Sequence, residues 1–115
     1  MDLEKVKSKL KEFSDERDWD QFHSPKNLAM ALSVEVAELV EIFQWANDGG
    51  AKEIKDPAIR KQIEEEIADI FNYLIKFVDL LDLDLEKISL EKIKKNAEKY
   101  PIKKSKGKAK KYNKI

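Results

Sequence analysis

Two pairs of acidic residues with the same spacing are the part of the sequence best suited to chemistry. Glu35 and Glu38 form one pair, Glu66 and Asp69 form the other, and each pair is separated by three positions. In an α-helix this spacing puts both side chains of a pair on one face. Carboxylate oxygens are the ligands that hard divalent cations such as Mg²⁺ take in proteins. The residue types and spacing therefore indicate a metal site, provided that two helices bring the pairs together.

The apolar residues around the first pair indicate which way its carboxylates point. At about 100° per residue, Glu35 falls within an apolar arc formed by Leu28, Leu39 and Ile42. Glu38 falls at the edge of that arc. The pattern therefore predicts that the first pair lies at the buried face of its helix.

The second acidic pair lies along the border of another apolar arc. Glu66, Asp69 and Tyr73 form one stripe beside the apolar positions of that segment. An unpaired buried carboxylate is destabilising or takes up a proton, and four of them repel one another. No Lys or Arg occurs between positions 29 and 47, and only Lys76 is near Asp69. A divalent cation, Mg²⁺ or alternatively Mn²⁺, is therefore the simplest neutralising partner.

Two other interpretations of the acidic pairs stay open at this point. Charged residues make up 40% of the chain, and a Glu-x-x-Glu pair on a helix is commonly a solvated surface. A ferritin-like di-iron site requires Glu-x-x-His pairs, and the single histidine, His23, lies outside both acidic segments. The absence of cysteine argues against zinc and excludes a disulfide framework and a cysteine nucleophile.

Four helices account for the periodicity of the chain. The apolar spacing predicts helices over residues 3 to about 18, 25 to about 47, 57 to 81 and 85 to 99. Ser24-Pro25 and Asp56-Pro57 are typical helix starts, and Tyr100-Pro101 ends the last helix. Three glycines and three prolines are too few for many short strands, so we expect an all-α four-helix bundle. The third helix is apolar over about half its circumference, so we expect a homo-oligomer that covers it.

The net charge of zero conceals two regions of opposite charge. Residues 101–115 contain seven of the 23 basic residues and no acid, which leaves 16 basic and 23 acidic residues, a net charge of −7, in residues 1–100. We expect residues 1–100 to form one helical domain and residues 101–115 a separate Lys-rich tail. No apolar run reaches the roughly 18 residues of a membrane span, and the N-terminus lacks a signal-peptide core. We therefore expect a cytoplasmic protein without a membrane partner.

Several motifs in combination resemble the MazG-like nucleotide pyrophosphohydrolases of the all-α NTP pyrophosphatase superfamily. The two acidic pairs resemble their Glu-x-x-Glu and Glu-x-x-Asp signature. Other segments resemble the dCTP pyrophosphatase branch, namely Glu16 to His23, Phe43-Gln44-Trp45, Asn72-Tyr73-Leu74, Asn96 to Pro101 and Lys111-Tyr112. The resemblance covers nearly the whole chain, and it implies that residues 1–100 are the helical catalytic domain and that the Lys-rich tail of residues 101–115 closes over the site.

The resemblance implies hydrolysis of a nucleoside triphosphate to the monophosphate and pyrophosphate, with dCTP or a related pyrimidine nucleotide as the best candidate. It implies four residues that bind Mg²⁺ and carry the catalysis: Glu35, Glu38, Glu66 and Asp69. It implies residues around the base and sugar: Trp19, His23, Trp45 and Tyr73. It implies further substrate contacts, partly across a subunit boundary: Lys92, Asn96, Lys99, Lys111 and Tyr112. Members of this kind are tetramers built as dimers of dimers, and we expect a homotetramer.

Some positions depart from the family pattern, and other functions remain open. Val34 and Ala37 stand where the dCTP branch usually has glycines, and Lys99 replaces an arginine with its planar fork. These departures affect the prediction of which nucleotide is the substrate more than the prediction of the reaction. A nucleic-acid-binding module that acts through the Lys-rich tail is the alternative function, although the acidic body would repel a duplex. An oligomeric scaffold without nucleotide or metal affinity is the third possibility.

Overall fold

The computed structural model describes residues 1–115 and contains helices but no strands. Its α-helices are α1 Leu3–Glu16, α2 Pro25–Phe43, α3 Pro57–Leu80, α4 Leu85–Lys99 and α5 Ile102–Ser105. Short 3-10 helices span Asp20–Phe22, Glu53–Lys55 and Tyr112–Lys114. The prediction of an all-α fold with four long helices is confirmed, and α5 is an additional turn that the apolar pattern did not predict. None of these helices combines the length and the apolarity that a membrane crossing requires.

Side-chain caps fix the starts of the long helices where the sequence predicted them. The Ser24 hydroxyl accepts a hydrogen bond from the backbone N–H of Asn27, with Pro25 in the first helical turn. The Asp56 carboxylate accepts from the backbone N–H of Ala58 at 2.9 Å in the same way. Each cap satisfies backbone donors that have no partner within the helix.

Two helices end earlier than the apolar pattern predicts. Helix α1 ends at Glu16 rather than near residue 18, because Asp18 adopts a left-handed conformation with φ of 53° and turns the chain away. Helix α2 ends at Phe43 rather than near Asn47. The chain turns back so tightly at Gly50 that a Cβ atom there would lie 2.8 Å from Cδ1 of Phe43. Residues 44–49 form this turn and are therefore unavailable to the helix.

The chain forms two compact units, Met1–Asp82 and Leu83–Ile115. In the first unit α2 packs along α3, and α1 also contacts α3. Its buried apolar core consists of three side chains: Leu28, Ile75 and Val78. In the second unit the rings of Tyr100 and Tyr112 pack edge to face, with centroids 6.2 Å apart.

A core of this size leaves much apolar surface exposed, most clearly on α2. At about 100° per residue, Met30 and Val40 lie on the side of α2 away from Glu35 and Val36 lies on its flank, and Val40 is 61% exposed. Helix α2 is therefore apolar both on the side that packs against α3 and on the outer side. A helix that is apolar around most of its circumference is normally buried on all sides, and contiguous exposed apolar patches commonly mark interaction surfaces.

Candidate active site

Three of the predicted carboxylates meet where α2 packs along α3. Glu35 and Glu38 come from α2 and Glu66 comes from α3, and one carboxylate oxygen of each lies within 4.8 Å of the others. We call these three residues the acidic cluster. The three-residue spacing places both α2 carboxylates on the side that faces α3. The arrangement allows one ion to contact three side chains.

Burial and mutual repulsion hold a proton on this cluster when no cation is present. Burial, the hydrogen bond with Glu66 and the charges of Glu38 and Asp69 raise the pKa of Glu35 to about 7. The hydrogen bond from Glu35 favours the charged form of Glu66, yet burial and the same two neighbouring charges outweigh it and raise the pKa of Glu66. Burial and the neighbouring carboxylates therefore favour the protonated forms of Glu35 and Glu66 over what free glutamates would show.

The polar atoms of the cluster lack the partners that buried carboxylates normally have. Oε2 of Glu35 and Oε2 of Glu66 are buried without a hydrogen-bond partner. No ion pair of the molecule includes a carboxylate of the cluster. Buried polar groups are nearly always satisfied, so unsatisfied oxygens of several carboxylates fit a hard divalent cation.

Asp69, the fourth predicted ligand, lies beside the cluster rather than within it. Its oxygens are not part of the group that lies within 4.8 Å. Asp69 and Glu35 instead line the same cavity. The structure therefore brings three of the four predicted acids together and leaves the fourth adjacent.

The cavity next to the cluster has a volume of about 300 Å³ and is lined largely by aromatic and apolar groups. Its lining residues are Leu10, Phe13, Ser14, Trp19, His23, Glu35, Asp69, Asn72, Tyr73 and Lys76. The Trp19 ring packs edge to face on Phe13 with centroids 5.6 Å apart. Three of the side chains predicted around a base, namely Trp19, His23 and Tyr73, therefore lie at one cavity.

His23 presents an unused polar atom in this region. Its Nδ1 atom is buried and has no hydrogen-bond partner. Burial and the positive charge of Lys76 lower the pKa of His23. A neutral imidazole has one donor and one acceptor, so His23 can hydrogen-bond to a group that enters the cavity.

Another cavity, of about 470 Å³ and lined by acidic residues, includes Glu38 and Glu66 of the cluster. Its lining residues are Glu38, Glu41, Ile42, Gln44, Gln62, Glu65 and Glu66. The acidic cluster therefore contributes to both an aromatic cavity and an acidic one. An aromatic group could enter the first cavity without a cation. A polyanionic group could enter the acidic cavity only if cations offset the repulsion by its carboxylates.

Three cavity residues were missed as candidates by the sequence reasoning: Ser14, Asn72 and Lys76. Asn72 and Lys76 follow Asp69 by three and seven positions, which is the spacing of one helix face. That spacing was sufficient to predict them, because Tyr73 was assigned to the same stripe. Ser14 carried no such signal, since it is a buried polar residue whose carbonyl accepts the backbone N–H of Trp19 at 3.0 Å.

The other predicted substrate contacts lie outside these cavities. Trp45 follows the end of α2, is 88% exposed and lines neither cavity. Five more belong to the second unit: Lys92, Asn96, Lys99, Lys111 and Tyr112. Within that unit Nζ of Lys99 lies 5.1 Å from the centre of the Tyr112 ring, a cation–π contact.

Without a bound cation, Glu35 should make the protein less stable as the pH rises. Its folded pKa of about 7 lies above the ordinary value of 4.5, so its contribution is fully present below about pH 4.5 and is lost as the pH rises through about 7. Glu35→Gln removes this titration, and we expect it to stabilise the cation-free protein at pH 8 by roughly 1–2 kcal/mol after allowance for solvent screening.

Thermal melts of both proteins in EDTA at pH 5 and pH 8 measure this effect. The melting temperature of the variant should exceed that of the wild type by more at pH 8 than at pH 5. A difference that does not change with pH would contradict the assigned pKa shift.

The sequence was compared with known families and proteins. The MazG-like family matches residues 30–115. Two relatives, both named dCTP pyrophosphatase 1, are 39% identical over 111 residues (Rattus norvegicus) and 37% identical over 114 residues (Homo sapiens). These alignments cover 96% and 98% of this chain, which spans 65% of the rat protein and 67% of the human protein.

A solved structure agrees with these matches. A pyrophosphatase from Archaeoglobus fulgidus DSM 4304 superimposes with a TM-score of 0.79 at 40% sequence identity. The superposition covers 86% of this chain and 92% of that one. Similarity in both sequence and fold at this level indicates common ancestry rather than a shared helical architecture alone.

Proposed function

Because the chain belongs to the MazG-like family, we propose that it is a nucleotide pyrophosphohydrolase, which converts a nucleoside triphosphate and water to the monophosphate and pyrophosphate. The observation that carries this proposal is the acidic cluster of Glu35, Glu38 and Glu66 beside an aromatic cavity. The relatives named dCTP pyrophosphatase and the archaeal pyrophosphatase support the same reaction class.

The acidic cluster is the proposed site of Mg²⁺, with Asp69 as a further ligand. Its unsatisfied oxygens support this assignment, and Mn²⁺ suits the same ligands. A triphosphate carries about four negative charges, so carboxylates alone would repel it. A bound divalent cation supplies the positive charge that offsets the phosphate oxygens and the charge that develops during transfer.

The residues of the chain would position the water and the triphosphate for attack at the α-phosphorus. A carboxylate of the cluster orients the water molecule and accepts its proton. The water oxygen bonds to the α-phosphorus while the bond from that phosphorus to the bridging oxygen breaks. The monophosphate keeps the new oxygen, and pyrophosphate leaves with the electron pair of the broken bond.

The aromatic cavity is the proposed binding site of the base and sugar. Stacking of a base on an aromatic side chain contributes roughly 1–3 kcal/mol, and Trp19 and Tyr73 offer such faces. Neutral His23 offers the hydrogen bonds that a base edge requires. We propose dCTP or a related pyrimidine nucleotide as the substrate, because the dCTP pyrophosphatases match almost the whole of this chain.

The exposed face of α2 supports assembly into a homotetramer, a dimer of dimers. A second copy would cover Val36 and Val40, which are exposed in the single chain. Trp45 would then contribute to a cavity across the subunit boundary. The remaining proposed substrate contacts belong to the second unit: Lys92, Asn96, Lys99, Lys111 and Tyr112. The proposal that residues 101–115 close over the site rests on the resemblance to the family.

Product analysis tests the reaction directly. Each dNTP is incubated with the protein and Mg²⁺ in ¹⁸O-labelled water, and the products are separated by anion exchange. We expect a labelled monophosphate and unlabelled pyrophosphate, with turnover lost in EDTA and restored by added Mg²⁺. Release of orthophosphate, label in the pyrophosphate, or absence of turnover with every nucleotide would contradict the proposal.

The alternative, a nucleic-acid-binding module, is not favoured by the comparisons, because the named relatives are pyrophosphatases. Truncation of residues 101–115 would separate the two functions. Only loss of nucleic-acid affinity together with full nucleotide turnover would support the alternative.

A further inference from the structure

The segment that connects α1 to α2, residues 17–24, carries two of the cavity side chains, Trp19 and His23. It is attached to α1 through the backbone N–H of Trp19, which donates to the Ser14 carbonyl at 3.0 Å. It is attached to α2 through the amide of Asn27, which donates to the Phe22 carbonyl at 2.9 Å. Helix α3 forms the opposite wall of the cavity, so a third attachment is needed to set the distance between the two walls.

One ion pair supplies that attachment. Nζ of Lys76, on α3, donates to Oδ1 of Asp20 at 3.1 Å. This hydrogen bond joins residues 56 positions apart, whereas the other side-chain hydrogen bonds of residues 17–24 are made within the segment or to the neighbouring ends of α1 and α2. It is therefore the only side-chain hydrogen bond between residues 17–24 and α3.

The pair lies at the surface, but one of its two side chains is well packed. The Lys76 side chain is only 16% exposed, although Asp20 is 53% exposed. Because most of the Lys76 side chain is packed against the protein, its ammonium group has less freedom to leave Asp20 than the end of a fully exposed lysine would have. The other charged groups facing the pair are Lys11, Asp15 and Asp79.

We propose that the Asp20–Lys76 ion pair holds residues 17–24 against α3 and so positions Trp19 and His23 for binding of the base. This inference rests on the proposed function for its substrate, but the positioning itself does not depend on turnover. Asp20 and Lys76 are positioning residues, because they act through Trp19 and His23 rather than on the phosphates at the acidic cluster.

Steady-state kinetics provide the first test. Asp20→Ala and Lys76→Met should each raise KM about fivefold to twentyfold and leave kcat within about twofold, since the contact affects base binding and not phosphate chemistry. Asp20→Glu should have a KM close to that of the wild type, because the longer glutamate side chain still brings its carboxylate to Lys76. The double variant should be no worse than either single one. Lys61→Met is the matched control, an exposed lysine of α3 whose partner Glu64 is 4.0 Å away.

The kinetic outcomes distinguish positioning from direct contact. If Lys76→Met raises KM while Asp20→Ala does not, Lys76 acts on the substrate by itself and the proposal is wrong. An unchanged KM in both variants, or an equal effect of Lys61→Met, would also overturn it.

Fluorescence of Trp19 provides a test that needs no substrate. The chain has two tryptophans, so a Trp45→Phe background isolates the Trp19 signal. We expect Asp20→Ala to increase acrylamide quenching of Trp19 about twofold and Asp20→Glu to leave it unchanged. Unchanged quenching in Asp20→Ala would refute the positioning. If the wild-type protein shows no nucleotide turnover but Asp20→Ala still increases the quenching, only the proposed function is refuted.

Discussion

Glu38→Gln should lower kcat/KM by about 100-fold to 1,000-fold while the fold remains intact. Glu38 belongs to the acidic cluster but is exposed, so its substitution creates no cavity and breaks no buried hydrogen bond. A neutral amide keeps the shape of the side chain but loses the negative charge that binds a divalent cation. Loss of one preorganised electrostatic contact commonly costs catalysis by this factor.

The dNTP assay measures the loss, and calorimetric titration with Mg²⁺ shows whether it arises from weaker ion binding. Glu64→Gln is the matched control, since Glu64 is an exposed glutamate of α3 outside the acidic cluster, and its activity should stay within about threefold of wild type. Circular dichroism establishes that both variants are folded. Full activity of Glu38→Gln would remove Glu38 from the proposed site.

Val40→Lys should dissociate the proposed assembly and weaken subunit association at least about 100-fold. Val40 lies on the outer apolar face of α2 and is 61% exposed in the single chain. If a second copy covers this face, the substitution buries an ammonium group without a partner, which costs several kcal/mol. We therefore expect loss of nucleotide turnover together with dissociation, because the neighbouring subunit would no longer contribute to the cavity.

Light scattering coupled to size exclusion measures the mass of each species over a range of concentrations. Glu12→Lys introduces the same side chain at an exposed glutamate of α1 rather than on the outer face of α2, and this control should elute as the wild type does. A wild-type protein that remains monomeric at every concentration would contradict the proposed assembly. So would a Val40→Lys protein whose mass is unchanged.

The helix starts and the acidic cluster were the most predictable parts of this molecule, since both depend on local signals. A cap residue followed by proline determines where α2 and α3 begin, and a three-residue spacing places two carboxylates on one helix face whatever the rest of the chain does. The apolar arcs then indicate which faces meet. The proximity of Glu35 and Glu66 could therefore be predicted without any knowledge of the connecting loops.

Features that depend on distant contacts could not be predicted in this way. The end of α2 is determined by the approach of Gly50 to the ring of Phe43, and no periodicity within α2 contains that information. The pairing of Asp20 with Lys76 joins positions that are 56 residues apart, and nothing in the sequence around either residue indicates the other as its partner. The position of Asp69 outside the closest group depends on side-chain conformations that a helical wheel does not represent.

The turn at Gly50 has a consequence for protein engineering. Gly49 has no atom within 4 Å of where a Cβ would lie, whereas Gly50 meets the Phe43 ring. A saturation library across the loop should therefore tolerate Asn or Asp at Gly49, since these residues enter the left-handed region at modest cost. It should reject nearly every replacement at Gly50. Side chains that carry a label therefore belong at position 49 rather than at position 50.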